Sequence, residues 1–282
     1  MVKIIADSTC DLSKDLIEKY DISILPLHIH LGDDEYEDGV NIFPDDIYRW
    51  SDANDTTPKT AAMSIDEAMD MFQPFLEEGR EIVYFSISAD MSAAFNVARM
   101  AAEELEAQDK VAVINSENLS TGIGLQVIEA AVMAQEGKSA AEIKEAIEAI
   151  KPNVRASFVV DILTYLHRGG RCSAVAALAG GMLKLHPCII VENGKMRPDK
   201  KYRGKLNSVI LDYAKDLEES LKHAKKDRVF ITHSGCAPEV IEKVREYLEG
   251  LNHFDEILET RAGGVISSHC GPGTLGVLFI EE

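Results

Sequence analysis

The fold is decided by the segment E-I-V-Y-F-S-I-S-A-D-M-S-A-A-F-N-V-A-R-M-A-A-E-E-L-E-A-Q-D-K-V-A-V-I-N, residues 81–115. Its first and last runs, Glu81–Ser86 and Val111–Asn115, are short and apolar and predict strands. The Ala-rich stretch from Ser92 to about Glu106 predicts a helix between them, and a helix over Ser120–Gln135 continues the alternation. Strands that alternate with helices predict an α/β fold with a mostly parallel sheet and helices on both faces.

The pattern of elements changes after Lys151–Asn153, a Pro-containing segment that predicts a hinge. Beyond it, the Asn193-Gly194 pair lies between two apolar runs and predicts a β-hairpin. The strands and helices of this half follow no regular alternation. We therefore predict two domains, an N-terminal α/β domain over residues 1–153 and a C-terminal mixed α/β domain over residues 154–282.

Other segments predict individual elements. Ile24–Leu31 predicts one strand, Lys205–Ala224 predicts one long amphipathic helix, and Val265–Ser268 predicts a strand before a Gly-Pro-Gly turn. Ser64 and Ser139 are each followed three residues later by Glu, which predicts a capping box at the start of two helices.

Composition argues against several classes of protein. The 282 residues carry a net charge of -19, which disfavours binding to nucleic acid and to anionic lipid surfaces. No apolar stretch reaches the roughly 20 residues needed to cross a bilayer. Met1–Asp7 predicts a strand and has no basic leader or cleavage site. We therefore expect a cytoplasmic protein that does not span the membrane.

Cofactor motifs are weak. The five cysteines include no C-x-x-C and the eight histidines form no H-x-x-x-H or H-E-x-x-H pattern, so we expect buried thiols and no zinc. Gly271–Gly276 fits G-x-G-x-x-G, but a strand-like run, Val277–Ile280, follows it. A dinucleotide fingerprint needs a helix there, so we interpret the motif as a Gly-rich turn and expect no cofactor.

Polar loops follow three of the predicted strands, at Asp7–Thr9, Ser86–Ser92 and Asn115–Ser116. Ligands of parallel sheets bind beyond the carboxyl ends of the strands, which predicts a site at this edge. His269 is a further candidate because it adjoins the rigid Gly271–Gly273 turn. Its imidazole is suited to hydrogen-bond an anionic or polar group near neutral pH.

Several motifs together resemble the DegV family. They occur in the family's order along nearly the whole chain: D-S-T-C-D-L at Asp7–Leu12, L-T-Y-L-H-R-G-G-R at Leu163–Arg171, the L-x-x-x-P, turn and R-x-K elements at Leu183–Pro187, Asn193–Gly194 and Arg203–Lys205, and H-C-G-P-G at His269–Gly273. Each motif alone is weak, but the ordered set is specific. The resemblance implies a two-domain α/β protein that holds one long-chain fatty acid between its domains.

The resemblance also implies a role. It indicates the acyl-carrier subunit of a bacterial fatty-acid kinase, whose separate subunit supplies the ATP and metal chemistry. The carrier presents the carboxyl group for phosphorylation and releases acyl phosphate, which feeds phospholipid synthesis. The carboxyl contacts implied are Thr60, Ser92 and His269. This chain departs from the family pattern beside two of them, with Ala61–Met63 after Thr60 and Ala93-Ala94 after Ser92, which bears on the identity of the ligand.

Local sequence leaves other interpretations open. Ser92 fits a plain helix N-cap, Thr60 an exposed loop threonine, and His269 a turn histidine whose hydrogen bonds are satisfied. The small-residue segment Ser173–Met182 fits the wall of an acyl tunnel or a closely packed core helix. Asp7 fits a residue that caps the following turn.

Basic residues beside glycines form a possible contact for a kinase subunit or a phosphoryl group. They are Arg168, Arg171, Arg203 and Lys205. Arg suits bidentate contact with anions, although solvated surface charge is the ordinary alternative.

An enzyme is the alternative to a carrier. It would be a phosphotransferase or hydrolase that acts on a small amphiphile with Ser92 and His269. However, Met91–Ala93 lacks the flanking glycines of a G-x-S-x-G elbow, and the sequence has no G-x-x-x-x-G-K-[ST] phosphate loop. Both observations favour a binding protein without catalytic residues of its own.

Overall fold

The computed structural model describes residues 1–172 and 185–282. Within these ranges the strands form three sheets. The strands are β1 (Lys3–Asp7), β2 (Ile22–Leu25), β3 (His28–Leu31), β4 (Asp34–Glu37), β5 (Lys59–Ala61), β6 (Ile82–Ser86), β7 (Val111–Asn115), β8 (Val154–Val159), β9 (Leu185–Glu192), β10 (Lys195–Arg203), β11 (Arg228–His233), β12 (Glu256–Arg261) and β13 (Leu275–Ile280).

The helices lie between these strands along the chain. In the described ranges they are α1 (Lys14–Lys19), α2 (Pro44–Asn54), α3 (Ile65–Glu77), α4 (Ala94–Glu104), α5 (Thr121–Gln135), α6 (Ala140–Ile150), α7 (Leu163–Gly169), α8 (Leu206–Asp216), α9 (Glu218–Lys222), α10 (Pro238–Gly250) and α11 (Gly264–Cys270). Short 3-10 turns occur at Ser8–Cys10 and Lys151–Asn153. None of these helices has the length and apolar content that a bilayer crossing requires.

The first sheet has the order β2-β1-β6-β7, and every pairing in it is parallel. This confirms the parallel α/β arrangement predicted from the alternating pattern. Both capping boxes are also confirmed: the Ser64 and Ser139 hydroxyls accept hydrogen bonds from Glu67 and Glu142 N–H, and each Glu carboxylate accepts from the Ser N–H. The helices therefore begin where local sequence satisfies their unpaired N–H groups.

The second sheet has the order β10-β9-β8-β13-β11-β12. Its pairings are antiparallel except for the parallel pair β11 and β12. This confirms the predicted mixed α/β half, and the Asn193-Gly194 pair forms the predicted hairpin turn between β9 and β10. The Lys151–Asn153 turn leads directly into β8. The domain boundary at residues 153 and 154 stays a prediction.

Helix α5 packs between the two larger sheets. It contacts β1 and β6 on one side and β8 and β13 on the other. Eleven of its 15 residues are buried, which explains why its sequence is apolar on all sides rather than along one stripe. Buried residues of both halves belong to one continuous apolar core, and a second core lies beneath α8 and α10.

The prediction of one strand over Ile24–Leu31 is wrong. The segment forms β2 and β3, which belong to different sheets, with Pro26 between them. Proline has no N–H to donate to a strand ladder, so it ends β2. β3 then pairs antiparallel with β4 and β5 in a three-stranded sheet that the sequence did not indicate.

Two further predictions are corrected. Val265–Ser268 is not a strand but part of α11. The prediction failed because a short apolar run that is buried on several sides has no periodicity that distinguishes a strand from a helix. Lys205–Ala224 is not one helix but α8 followed by α9. At Leu217 the N–H bonds the carbonyl of Ala214, three residues back, which tightens the turn and ends α8.

Candidate functional site

A cavity of about 240 Å³ lies beyond the carboxyl ends of β2, β6 and β7. Both halves of the chain contribute to its wall. Its described lining residues are Leu27, Thr60, Ala61, Ala62, Ile87, Met91, Ser92, Ala93, Leu119, Arg171, Met196, Val265, Ile266, His269 and Cys270. The edge of the sheet at which the sequence predicts a site therefore carries this cavity, as expected for a parallel α/β sheet.

Thr60 and His269 meet across the cavity wall although 209 positions separate them in sequence. Thr60 Oγ1 lies 2.8 Å from His269 Nε2, at hydrogen-bond distance. Thr60 is on β5, an edge of the three-stranded sheet, and His269 is in the last turn of α11. The contact depends on two of the segments that sequence patterns misassigned, because β3 holds β5 in register and α11 carries the imidazole.

The imidazole of His269 packs against Gly169 at its Nδ1 edge and contacts Thr60 at its Nε2 edge. Burial, with a smaller contribution from the nearby Arg171 charge, lowers the pKa of His269 from 6.5 to about 4. The ring is therefore neutral at pH 7. Its Nδ1 is inaccessible to water and has no hydrogen-bond partner among the described residues.

The hydrogen-bond pattern indicates which nitrogen of His269 carries the proton. A buried N–H without a partner is rarer than a buried lone pair without one. We therefore assign the proton to Nε2, which then donates to Thr60 Oγ1. In this tautomer the Thr60 hydroxyl accepts from His269 and its own proton is free to donate to a ligand.

Ser92 also lines the cavity. α4 begins at Ala94, two residues later than the sequence predicts, and the backbone N–H of Ala94 donates to Ser92 Oγ at 3.3 Å. The N-cap interpretation of Ser92 is therefore wrong, because the N-cap residue is Ala93. The hydroxyl proton of Ser92 is free to donate to a further acceptor. The backbone of the loop is fixed because Ser92 N–H donates to the carbonyl of Ser88 at 3.1 Å.

Arg171 also lines the cavity. The sequence indicated only a contact for a kinase subunit or a phosphoryl group, and it gave no sign that Arg171 lies in the cavity wall. Its Nη1 donates to the carbonyl of Gly169 at 2.7 Å and its Nε donates to the carbonyl of Met91 at 3.4 Å. The guanidinium therefore bridges the end of α7 and the loop that carries Ser92. It is the one cationic side chain among the described lining residues, and it faces an otherwise neutral site.

Arg203 and Lys205 are exposed and are not among the described lining residues. They flank Gly204 at the start of α8, whose first residue, Leu206, packs against the turn at Gly273. This places them on the surface beside the turn that follows His269. The segment Ser173–Met182, predicted to wall a tunnel, lies outside the described residues.

Asp7 caps the turn that follows β1, as the sequence predicts. Its Oδ1 accepts from the N–H and the hydroxyl of Thr9, and its Oδ2 accepts from Ile87 N–H at 2.8 Å. Burial raises the pKa of Asp7 to about 6. Asp7 does not line the cavity but fixes Ile87, which does.

Known proteins resemble this chain along its whole length. The family model described as "Uncharacterised protein, DegV family" matches residues 1–282. A DegV domain-containing protein of Clostridium perfringens is 31% identical over 283 aligned residues, which cover 100% of this chain and 99% of that protein.

Two solved structures share the fold. One, described as fatty acid binding of a DegV family protein from Thermus thermophilus, superposes with a TM-score of 0.90 at 26% identity and covers 100% of this chain and 99% of its own. A stearic acid-binding protein from Eubacterium ventriosum gives 0.86 at 31% identity, over 100% of this chain and 98% of its own. From the full-length match and these similarities, the chain belongs to the DegV family.

Proposed function

We propose that this protein binds one long-chain fatty acid in the cavity between its two halves. The carboxyl group contacts Thr60 and Ser92, and His269 orients Thr60. The observation that carries the proposal is the Thr60–His269 hydrogen bond in a wall that is otherwise largely apolar. Relatives with 26% and 31% identity are described as binding a fatty acid and stearic acid.

The polar groups of the site suit an anionic acceptor. The Thr60 oxygen accepts from His269 and the Ser92 oxygen accepts from Ala94 N–H, so both hydroxyls are left with a proton to donate. A carboxylate is an acceptor only, and hydrogen bonds to it are stronger than those to neutral groups. Arg171 supplies the positive charge that offsets the cost of burying the acid group.

The apolar lining suits an acyl chain. Leu27, Ile87, Leu119, Val265 and Ile266 belong to the wall and hold no polar side-chain atom. Each buried CH₂ group contributes about 0.8 kcal/mol, so a sixteen-carbon chain contributes about 10 kcal/mol before the cost of ordering it. The Ala61–Ala62 and Ala93 side chains at the polar end are small, which leaves the acid group room between the hydroxyls.

Beyond fatty-acid binding, we propose that the protein acts as a carrier subunit. The protein presents the bound carboxyl group to a separate ATP-binding kinase subunit, which forms the acyl phosphate. Support comes from the exposed Arg203 and Lys205 beside the turn that follows His269, where cations suit an acidic partner or a phosphoryl group. The sequence itself has no phosphate loop.

Native mass spectrometry of the purified protein tests ligand binding. We expect a mass excess of one fatty acid per chain, lost after organic extraction and restored by added palmitate or stearate. Thr60→Val removes the hydroxyl at nearly constant volume, and Thr56→Val is its control because Thr56 is exposed. A wild-type chain that stays empty when offered both acids contradicts the proposal.

A reconstituted reaction tests the carrier role. The loaded protein, ATP, magnesium and the ATP-binding subunit of a fatty-acid kinase should give an acyl phosphate that hydroxylamine traps as a hydroxamate. No hydroxamate should form without the second subunit. Hydroxamate formation by this chain alone contradicts the division of labour and favours the phosphotransferase alternative with Ser92 and His269.

A further inference from the structure

The N-terminus of α11 is held by two buried carboxylates from the first half of the chain. Asp38 Oδ1 accepts a hydrogen bond from Gly264 N–H at 2.7 Å, and its Oδ2 accepts from Val265 N–H at 3.2 Å. Asp11 Oδ1 accepts from Gly263 N–H at 2.8 Å. The first N–H groups of a helix have no partner inside the helix, and a carboxylate there also meets the positive end of the helix dipole.

Glycines allow the carboxylates to approach this closely. A Cβ at Gly264 would lie 2.7 Å from Asp38 Oδ1 and 2.7 Å from Ile29 Cδ1, and a Cβ at Gly263 would lie 3.1 Å from Asp11 Oδ1. Any larger residue at Gly264 therefore has to displace either the carboxylate or the core beneath it. The Gly263-Gly264 pair is explained by this contact.

Hydroxyl groups fix the carboxylates from the other side. Ser8 Oγ donates to Asp38 Oδ2 at 2.9 Å and accepts from the N–H of Leu27, a cavity residue, at 3.2 Å. Ser120 Oγ donates to Asp11 Oδ2 at 2.5 Å. Among the described residues no Lys, Arg or His forms an ion pair with either carboxylate. Burial raises the pKa of Asp38 and of Asp11, and these backbone and hydroxyl donors satisfy the two buried carboxyl groups.

The capped helix carries the cavity-facing imidazole. Val265 and His269 are four residues apart, so they share one face of α11, and both line the cavity. A shift at the first turn moves this face as a unit because the helix is only seven residues long. We propose that Asp38 and Asp11 are positioning residues that hold His269 at hydrogen-bond distance from Thr60 by capping α11 from the other half of the chain.

The expected effect on fatty-acid affinity rests on the proposed function, whereas the positioning of His269 by Asp38 and Asp11 does not. The test therefore measures the two separately. Asp38→Asn keeps the shape of the side chain but places an NH₂ group where α11 needs an acceptor. In the ligand-free, 15N-labelled full chain we expect the ring resonances of His269, assigned with His269→Gln, to shift. The resonances of His253, which contacts the carbonyl of Ala224, should stay in place.

The matched control is Asp45→Asn. Asp45 pairs with Arg261, so this variant also removes a contact between the two halves, but at an exposed site. We expect Asp38→Asn to weaken palmitate affinity by about tenfold, as small displacements of binding groups do, and Asp45→Asn to change it by less than about twofold. Equal losses in the two variants overturn the proposal, because they indicate a general effect of the interface.

The remaining outcomes are also decisive. Unchanged His269 resonances in a folded Asp38→Asn variant overturn the positioning role, whatever the affinity. A wild-type chain that binds no palmitate defeats the proposed function, while the His269 resonances still decide the positioning role. If Asp38→Asn does not fold, Ser8→Ala removes one donor to Asp38 and should shift the same resonances by less; no shift overturns the proposal.

Discussion

Gly169 packs so closely against His269 that a Cβ at Gly169 would lie 2.3 Å from the imidazole Nδ1. The next residue, Gly170, has a φ of +68° and lets the chain turn away at the end of α7. Arg171 then bonds back to the Gly169 carbonyl and reaches the cavity. The Gly-Gly-Arg segment therefore shapes the cavity, since it positions both the imidazole of His269 and the guanidinium of Arg171.

Gly169→Ala should disturb the site more than the fold. The added methyl forces the His269 ring to rotate away from Thr60, so we expect palmitate affinity to fall by about tenfold. Gly250→Ala is the control because a Cβ there meets nothing within 4 Å; it should leave affinity unchanged and raise helix stability slightly. Calorimetric titration measures both. Wild-type affinity in Gly169→Ala would show that the close contact has no role in binding.

Thr60→Val should weaken fatty-acid binding without unfolding the protein. It removes the hydroxyl that we propose donates to the carboxylate. Hydrogen bonds to charged groups contribute about 1.5–3 kcal/mol, so the dissociation constant should rise by about tenfold to a hundredfold. Competition with a fluorescent fatty acid measures the change. Thr56→Val controls for the loss of an exposed hydroxyl, and an equal effect in both variants would rule out a specific contact.

Arg171→Gln should reduce selectivity for an anionic head group. Palmitate affinity should fall by about tenfold, while affinity for hexadecanol, which has no charge, should change little. Arg197→Gln is the control because Arg197 pairs with Glu192 and Asp199 on the surface. Parallel loss of both ligands in Arg171→Gln would mean that the guanidinium supports the cavity wall rather than the charge of the ligand.

His269 should make the unliganded protein more stable as the pH rises from about 4 to 6.5. Its pKa is lowered to about 4 in the folded state, so in this window the unfolded chain binds more protons. The contribution reaches at most about 3 kcal/mol. Urea unfolding at several pH values measures it, and His269→Gln should flatten this part of the profile. Identical profiles for the two proteins would contradict the lowered pKa.

Arg203→Ala should separate partner coupling from ligand binding. Arg203 is exposed and is not among the described cavity residues, so palmitate affinity should stay within about twofold of wild type. Formation of acyl phosphate by the kinase subunit should slow by up to about tenfold, because the variant removes a charged contact with that subunit. The initial rate of hydroxamate formation at saturating palmitate measures this reaction. Lys201→Ala, another exposed cation on β10, is the control.

Local sequence was sufficient for elements whose signals lie within a few residues. Ser64 and Ser139 begin helices because each serine and the glutamate three residues later satisfy each other's backbone N–H groups. Asn193 and Gly194 both have positive φ, as the hairpin turn between β9 and β10 requires. The parallel sheet followed from the strand and helix alternation.

Local sequence failed where an element is defined by distant partners. The run Val265–Ser268 is helical because α11 is capped by Asp38 and Asp11 and buried on several sides. β5 is three residues long and exists through its pairing with β3. Neither partner is near in sequence, so no local pattern records these contacts.

By itself the sequence determined the α/β class, the parallel first sheet and the mixed second sheet. Through the family resemblance it also named Thr60, Ser92 and His269 as candidate carboxyl contacts. Only the tertiary structure decided that Thr60 meets His269, that Arg171 lies at the cavity and that Asp38 holds α11. The physical reason is that periodicity and capping act within one or two turns of chain, whereas these contacts join segments 80 or more residues apart, where packing and hydrogen-bond geometry alone select the partners.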